Sequence, residues 1–207
     1  MKQDEKSKLT QKTIAERAFR VIYRQGYYRT TPSAIMEETG LSKGAFYHHF
    51  ENKQVLTEKM ISEVLHERIY MNMIRPLYGE GEALELLENT FSARLLHFSA
   101  EEKRLGCPLN NLINEVAGEN EPLQSALKEI ITEWRAAIIH VLQRGLREGS
   151  VRPDIHAESV ATFLVSSFEG VRGLRKLDTD DQLFGQYTDS LRFFIRSLRK
   201  HSDYNIF

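Results

Sequence analysis

The thirteen residues from Leu41 to Lys53, L-S-K-G-A-F-Y-H-H-F-E-N-K, gather side chains of several chemical types. They hold two adjacent imidazoles (His48, His49), three rings (Phe46, Tyr47, Phe50) and the ammonium groups of Lys43 and Lys53. Such a set suits metal ligation, a buried aromatic cluster, or a surface lying against a polyanion. Spacing speaks against a metal, because neighbours on a helix point in different directions and His48 and His49 cannot close on one ion. Phe46 and Phe50 sit four apart, share one helical face and read as core. Tyr47, His48 and the lysines are left for the surface.

The flanking residues supply the elements that would position these groups. Thr31 before Pro32 is a hydroxyl N-cap with proline at the first helical position, which predicts a helix from Pro32 to about Thr39. Gly40 ends it, with the left-handed backbone a tight turn requires. Ser42 caps the next helix, Lys43 to about His49, and Asn52 caps another, Lys53 to about Ile74, before Pro76. Two short helices around Gly40-Leu41-Ser42 make a helix-turn-helix. Ala34, Ile35, Leu41 and Phe46 can form its small core against a first helix over 9–25, whose apolar stripe is Ile14, Ala18, Phe19 and Ile22.

In a helix-turn-helix the second helix enters the DNA major groove, and its N-terminal residues meet the base edges. Here those are Ser42, Lys43, Gly44 and Ala45. Lys43 can donate to guanine O6 or N7. Gly44 lets the backbone approach closely, and the positive end of the helix dipole favours phosphate. Tyr47 and His48 lie one turn on. The Thr31 hydroxyl and the Lys53 ammonium are placed to clamp phosphates on either side.

Charge distribution agrees. Residues 1–53 hold ten Lys/Arg against six Asp/Glu, whereas residues 54–207 hold eighteen against twenty-three, so a net charge of −1 conceals a basic amino end. The lone Cys107 allows no internal disulfide and fits a reducing compartment. The polar start M-K-Q-D-E-K-S-K lacks the apolar stretch of a signal peptide. No apolar run approaches the ~18 residues of a membrane span. A cytoplasmic protein without a membrane partner is expected. An enzyme is not: Glu63-Val-Leu-His66 is a single copy of a motif that a di-iron bundle needs twice. His-Glu-x-x-His, Gly-x-Ser-x-Gly and phosphate-binding glycine loops are absent from the sequence. No metal or cofactor is expected.

The remaining apolar residues recur at helical spacing, which predicts an all-α chain of about nine helices. Residues 82–99 carry Leu84, Leu87, Phe91, Leu95 and Phe98. Pro108 opens a helix ending near Gly118, and Pro122 a long one to about Glu148 with Trp134 on its stripe. Helices over 155–175 and 181–200 complete the chain, with Val160, Phe163, Leu164, Phe168 and Val171 on the first and Leu183, Tyr187, Leu191, Phe194 and Leu198 on the second.

The run T-T-P-S-A-I-M-E-E-T-G-L-S-K-G-A-F-Y-H-H-F-E-N-K-Q-V-L resembles the DNA-binding signature of the TetR family of bacterial transcriptional repressors. Thr31, Ile35, Gly40, Leu41, Ser42, Gly44, Tyr47, His49, Phe50 and Lys53 match the pattern, and Met36 stands where alanine is more usual. The resemblance covers about residues 9–56. It implies a DNA-binding domain over 1–52, with His49 among its contact residues, and an effector-binding and dimerisation domain over 53–207. It further implies a homodimer on a palindromic double-stranded operator. The helices over 155–175 and 181–200 would form the dimer interface, where Ser166, Ser167, Gly170 and Gly173 allow close approach. A small molecule would release the DNA. Phe91, Phe98, Trp134, Phe163 and Phe168 are candidates for the walls of its site, with Asn110, Asn111 or Arg172 fixing orientation. Cys107, just before Pro108 and hence at a helix N-terminus, has the setting of a stabilised thiolate, which makes release by an electrophile or oxidant a second possibility. An activator, or a DNA-binding protein without an effector, is the alternative.

Overall fold

The computed structural model describes residues 3–177, 180 and 182–200. Among these the chain is helical nearly throughout, and the one extended pairing is an isolated bridge between Val151 and Arg199. The all-α expectation holds.

Helix α1 (Gln3–Gln25) starts earlier than the predicted residue 9, because its first turns, Q-D-E-K-S-K, are polar, with Gln, Glu and Lys outnumbering Asp and Ser. The first three types favour helix without leaving an apolar stripe to read. Helix α2 (Pro32–Thr39) is capped as expected: the Ala34 N–H donates to Thr31 Oγ1 at 3.2 Å. It ends at Gly40, whose φ of 67° and ψ of 21° lie in the left-handed region. Helix α3 (Lys43–His49) is capped by Ser42 Oγ, which accepts from the Ala45 N–H at 3.2 Å. Helix α4 (Lys53–Lys59) is capped by Asn52 Oδ1, which accepts from the Val55 N–H at 2.9 Å.

The predicted helix over 53–74 is continuous but not uniform. After α4 it widens into π-helical turns at Met60–Leu65, returns to α geometry in α5 (His66–Ile69), and widens again at Tyr70–Ile74 before a 3₁₀ turn at Arg75–Tyr78. The buried side chains explain the first widening. Thr57, Ile61, Leu65 and Ile69 are all buried and sit four residues apart. At about 3.6 residues per turn that stripe would drift by about 40° each turn. A wider π turn offsets the drift and keeps the stripe on one face.

Helices α6 (Ala83–Leu96), α7 (Ala100–Leu105), α8 (Pro108–Val116), α9 (Glu121–Glu148), α10 (Ala157–Leu174) and α11 (Gln182–Ser197) follow. The expected helix over 82–99 is corrected here. It stops at Leu96, and a separate α7 begins with a capping box in which the Glu102 N–H donates to Ser99 Oγ and the Ser99 N–H donates to Glu102 Oε2. The reciprocal bonds satisfy two N–H groups that an uninterrupted helix would have bonded internally.

The described residues fall into two compact units, one lying within 1–69 and 107–131, the other within 70–106 and 132–207. The first has a core that includes Ile14, Phe19, Ile35, Phe46, Leu56, Ile61, Leu109, Leu112, Val116 and Leu127. The second is built around rings. Phe91 and Trp134 lie nearly parallel at 6.0 Å, and Phe168 meets both edge-on at 5.3 and 5.9 Å. Phe98 stands 6.2 Å from Phe168 and 6.0 Å from Phe184. The buried Arg172 lies 4.3 Å over the Phe98 ring and donates to the Gly106 carbonyl at 2.8 Å. That pairing of a cation with a ring face and a carbonyl makes its burial tolerable.

Candidate nucleic-acid interface

Helix α3 has one apolar anchor, Phe46, and the turn after it adds another, Phe50; both are buried, as is Ile35 of α2. With Phe46 fixed inward, the helical rotation carries Lys43, Gly44, Tyr47 and His48 outward, and all four are exposed. The Tyr47 ring rests edge-on against Phe46 at 5.2 Å, and the residue stays exposed. Lys43 makes no ion pair among the described residues. Ser42 is exposed, and Ala45 and His49 are half-buried. Neither α2 nor α3 carries an acidic residue in its first turn, so nothing there neutralises the positive ends of the two helix dipoles. Thr31 is exposed, and its oxygen accepts the cap hydrogen bond, leaving its O–H free to donate.

One candidate, Lys53, is engaged within the chain. Lys53 was expected on a phosphate; in the structure its ammonium turns inward. It donates to the carbonyls of Tyr27 at 2.9 Å and Thr30 at 3.0 Å, and lies 4.1 Å over the Tyr27 ring. Two of its three donors are thereby used. Burial lowers its pKa from the usual lysine value, and the Glu115 charge works in the opposite direction. The sequence offered no signal for this contact, because the acceptors are backbone carbonyls far away in the chain. His48 and His49 have their rings 5.1 Å apart and steeply inclined, and among the described residues no group of three His, Cys, Asp or Glu side chains could hold a metal.

The candidates for an effector site are divided. Phe91, Phe98, Trp134, Phe168 and Arg172 are brought together in the second unit, as described above. Phe163 is not among them: it is 50% exposed on α10, its ring 4.5 Å from that of Phe194. Its place in the apolar stripe of 155–175 concealed this, since a stripe does not say which of its members reaches the core. Asn110 and Asn111 are half-buried on α8 and belong to the first unit, with the buried Cys107 at the head of that helix. Trp134 Nε1 and Ser92 Oγ are buried in the second unit without a hydrogen-bond partner, an uncommon state for such groups.

Known proteins share both the pattern and the fold. The family model described as bacterial regulatory proteins, tetR family, matches residues 14–60, and the one described as tetracyclin repressor-like, C-terminal domain, matches residues 83–191. The HTH-type transcriptional repressor DhaR of Mycobacterium sp. (strain GP1) is 22% identical over 179 residues, covering 84% of this chain and 86% of the relative. The nucleoid occlusion factor SlmA of Aliivibrio fischeri (strain MJ11) is 30% identical over 147 residues, covering 70% of this chain and 72% of the relative. The crystal structure of a TetR-family transcriptional regulator from Cytophaga hutchinsonii has the same fold, with a TM-score of 0.84 at 20% identity over 95% of this chain and 98% of that one.

Proposed function

Because the chain belongs to the TetR family of bacterial regulatory proteins, we propose that it is a dimeric transcriptional repressor that reads a palindromic operator with α3 and lets go when a small molecule binds. The observation that carries the DNA-binding part is the geometry of α3. A short helix is pinned by Phe46 and presents Lys43, Gly44, Tyr47 and His48 to solvent from a dipole end that no acidic side chain neutralises. Ser42, Lys43, Gly44 and Ala45 meet base edges, Lys43 as a donor to guanine. Tyr47, His48, His49 and the Thr31 hydroxyl meet the sugar–phosphate backbone, which fixes register without reading sequence. Lys53 serves this surface by holding the 27–30 turn in shape.

Dimerisation supplies the second half-site, one DNA turn or about 34–36 Å away. The face assigned to it is the outer side of α10 and α11. Phe163 and Phe193 are exposed there, and beyond Gly170 there is open space where a side chain would otherwise lie. Two such faces can bury each other's rings.

Release is assigned to a ligand in the second unit. The rings of Phe91, Phe98, Trp134 and Phe168 would contact its apolar part, and the unpartnered Trp134 N–H would take an acceptor atom on it. A ligand preferring the released form 100-fold contributes about 2.7 kcal/mol per site toward release. A thiol-reactive route through Cys107 is the second reading. It is favoured by the thiol's place at the head of α8 and opposed by its burial, so reagents would have to await a local opening.

The experiment is a binding series with the full-length chain on genomic duplexes and on random duplex, at rising salt. A repressor of this kind prefers particular fragments, and its affinity falls steeply with salt as counterions are released. A purified chain with no preference at low salt would refute the reading. A reporter strain lacking the gene distinguishes a repressor from an activator, since expression rises in the first case and falls in the second.

A further inference from the structure

We propose that Glu115 on α8 is a positioning residue for DNA binding, because its carboxylate clamps the Gly26–Tyr28 turn from which the helix-turn-helix is suspended. The proposal rests on the repressor reading above.

The Tyr28 N–H donates to Glu115 Oε2 at 3.1 Å. The same carboxylate lies against Gly26. A Cβ built on that residue would come within 2.8 and 2.9 Å of the two Glu115 oxygens. Gly26 also has a φ of 88°, so this position excludes side chains both by conformation and by space. The rest of the turn is held from the other side. The Thr30 hydroxyl donates to the Gly26 carbonyl at 2.7 Å, and the Lys53 ammonium takes the carbonyls of Tyr27 and Thr30. The joint between α1 and α2 is therefore gripped by a carboxylate at its amide side and an ammonium at its carbonyl side. Thr31, the cap of α2, is the next residue along.

A second tie lies nearby in the same unit. Asn120 Nδ2 donates to Gln54 Oε1 at 3.1 Å, while Asn120 Oδ1 accepts from the Leu123 N–H at the start of α9. The Glu115–Tyr28 and Asn120–Gln54 bonds join residues within the segment that matches the C-terminal family model, 83–191, to residues within the N-terminal one, 14–60. They lie within the one compact unit that holds α8, the start of α9 and the DNA-binding helices. Neither Glu115 nor Asn120 is within the DNA-reading surface, so their effect on DNA must pass through the turn and through α4.

The test uses full-length wild type, Glu115→Ala and Glu115→Gln. The probe is the set of duplexes that wild type selects from a random library. In Glu115→Ala the Tyr28 amide is expected to exchange with solvent about tenfold faster, and affinity for the selected duplex to fall about tenfold. The salt slope should not change, because no phosphate contact has been removed. Glu115→Gln keeps an acceptor oxygen and should recover most of both losses. Wild-type affinity in Glu115→Ala overturns the proposal, as does a Gln variant as impaired as Ala. If wild type selects no duplex at all, the repressor reading falls and this proposal falls with it.

Discussion

Lys53 and Tyr27 are joined twice: the lysine ammonium donates to the tyrosine carbonyl at 2.9 Å and stands 4.1 Å above the ring of the same residue. A side chain held in this way stabilises the fold first. Lys53→Ala should lower unfolding stability by about 1–2 kcal/mol in a denaturant melt, a figure reduced for the partial exposure of the site. The slope of log affinity against log salt should stay near wild type. If the slope flattens by a full phosphate contact while stability is unchanged, Lys53 belongs at the DNA after all.

Lys43 is the reverse case, exposed and without an ion-pair partner among the described residues. Lys43→Ala should lose discrimination between a selected duplex and its single-base variants, by up to about 1–3 kcal/mol at one position. Competition binding against a panel of variants measures it. An unaltered ranking of the panel would remove Lys43 from the base-reading set.

Phe193, 78% exposed on α11, is the sharpest probe of the dimer face. Phe193→Glu should leave the helical content intact and shift the chain toward monomer in sedimentation experiments. Each ring buried in a symmetric interface contributes about 1.5–3 kcal/mol and counts twice. Operator affinity should fall with dimerisation. An unchanged dimer would place the interface elsewhere.

Glu102 predicts an acid limb in the stability curve. Burial alone would raise its pKa, but the Ser99 N–H and the Arg94 guanidinium, 2.5 Å away, outweigh burial and leave it lowered. A folded pKa below the unfolded one gives a contribution that is complete above the ordinary carboxylate range and is lost as pH falls through the lowered value. Glu102→Gln should therefore reduce stability at neutral pH and flatten the fall in melting temperature below about pH 4. Parallel acid limbs in wild type and variant would dismiss the pair as a contributor.

Cys107 is 2% exposed. A maleimide should label it in the native chain at least about tenfold more slowly than in denaturant, the ratio reporting how often the start of α8 opens. Labelling as fast as in the unfolded chain would favour the electrophile route to release.

The residues that punctuate the backbone were legible, because their chemistry is local. Thr31-Pro32, Gly40, Ser42 and Asn52 each act within four residues of themselves, and the structure places every one of those caps or stops where the sequence put it. Local signals can also be overlooked: Ser99-Ala-Glu-Glu102 is a capping box, yet Phe98 continued the apolar stripe in helical register and masked the break before it. What local chemistry cannot show is which distant group a long side chain meets. Lys53 bonds to carbonyls more than twenty residues away, and Glu115 bonds to an amide 87 residues away. Phe163 and Phe168 lie on the same predicted stripe, but only Phe168 joins the ring cluster.

The wide turns at Met60–Leu65 leave the chain with a spare link. Excising one residue there lets the segment tighten into ordinary α geometry with nearly the same total rotation, so Ile69 keeps its orientation. The same excision in α1 would swing every later side chain of that helix through about 100°. Tolerance to shortening should therefore be concentrated in the wide turns at Met60–Leu65 and Tyr70–Ile74, which already have more length than a standard coil requires.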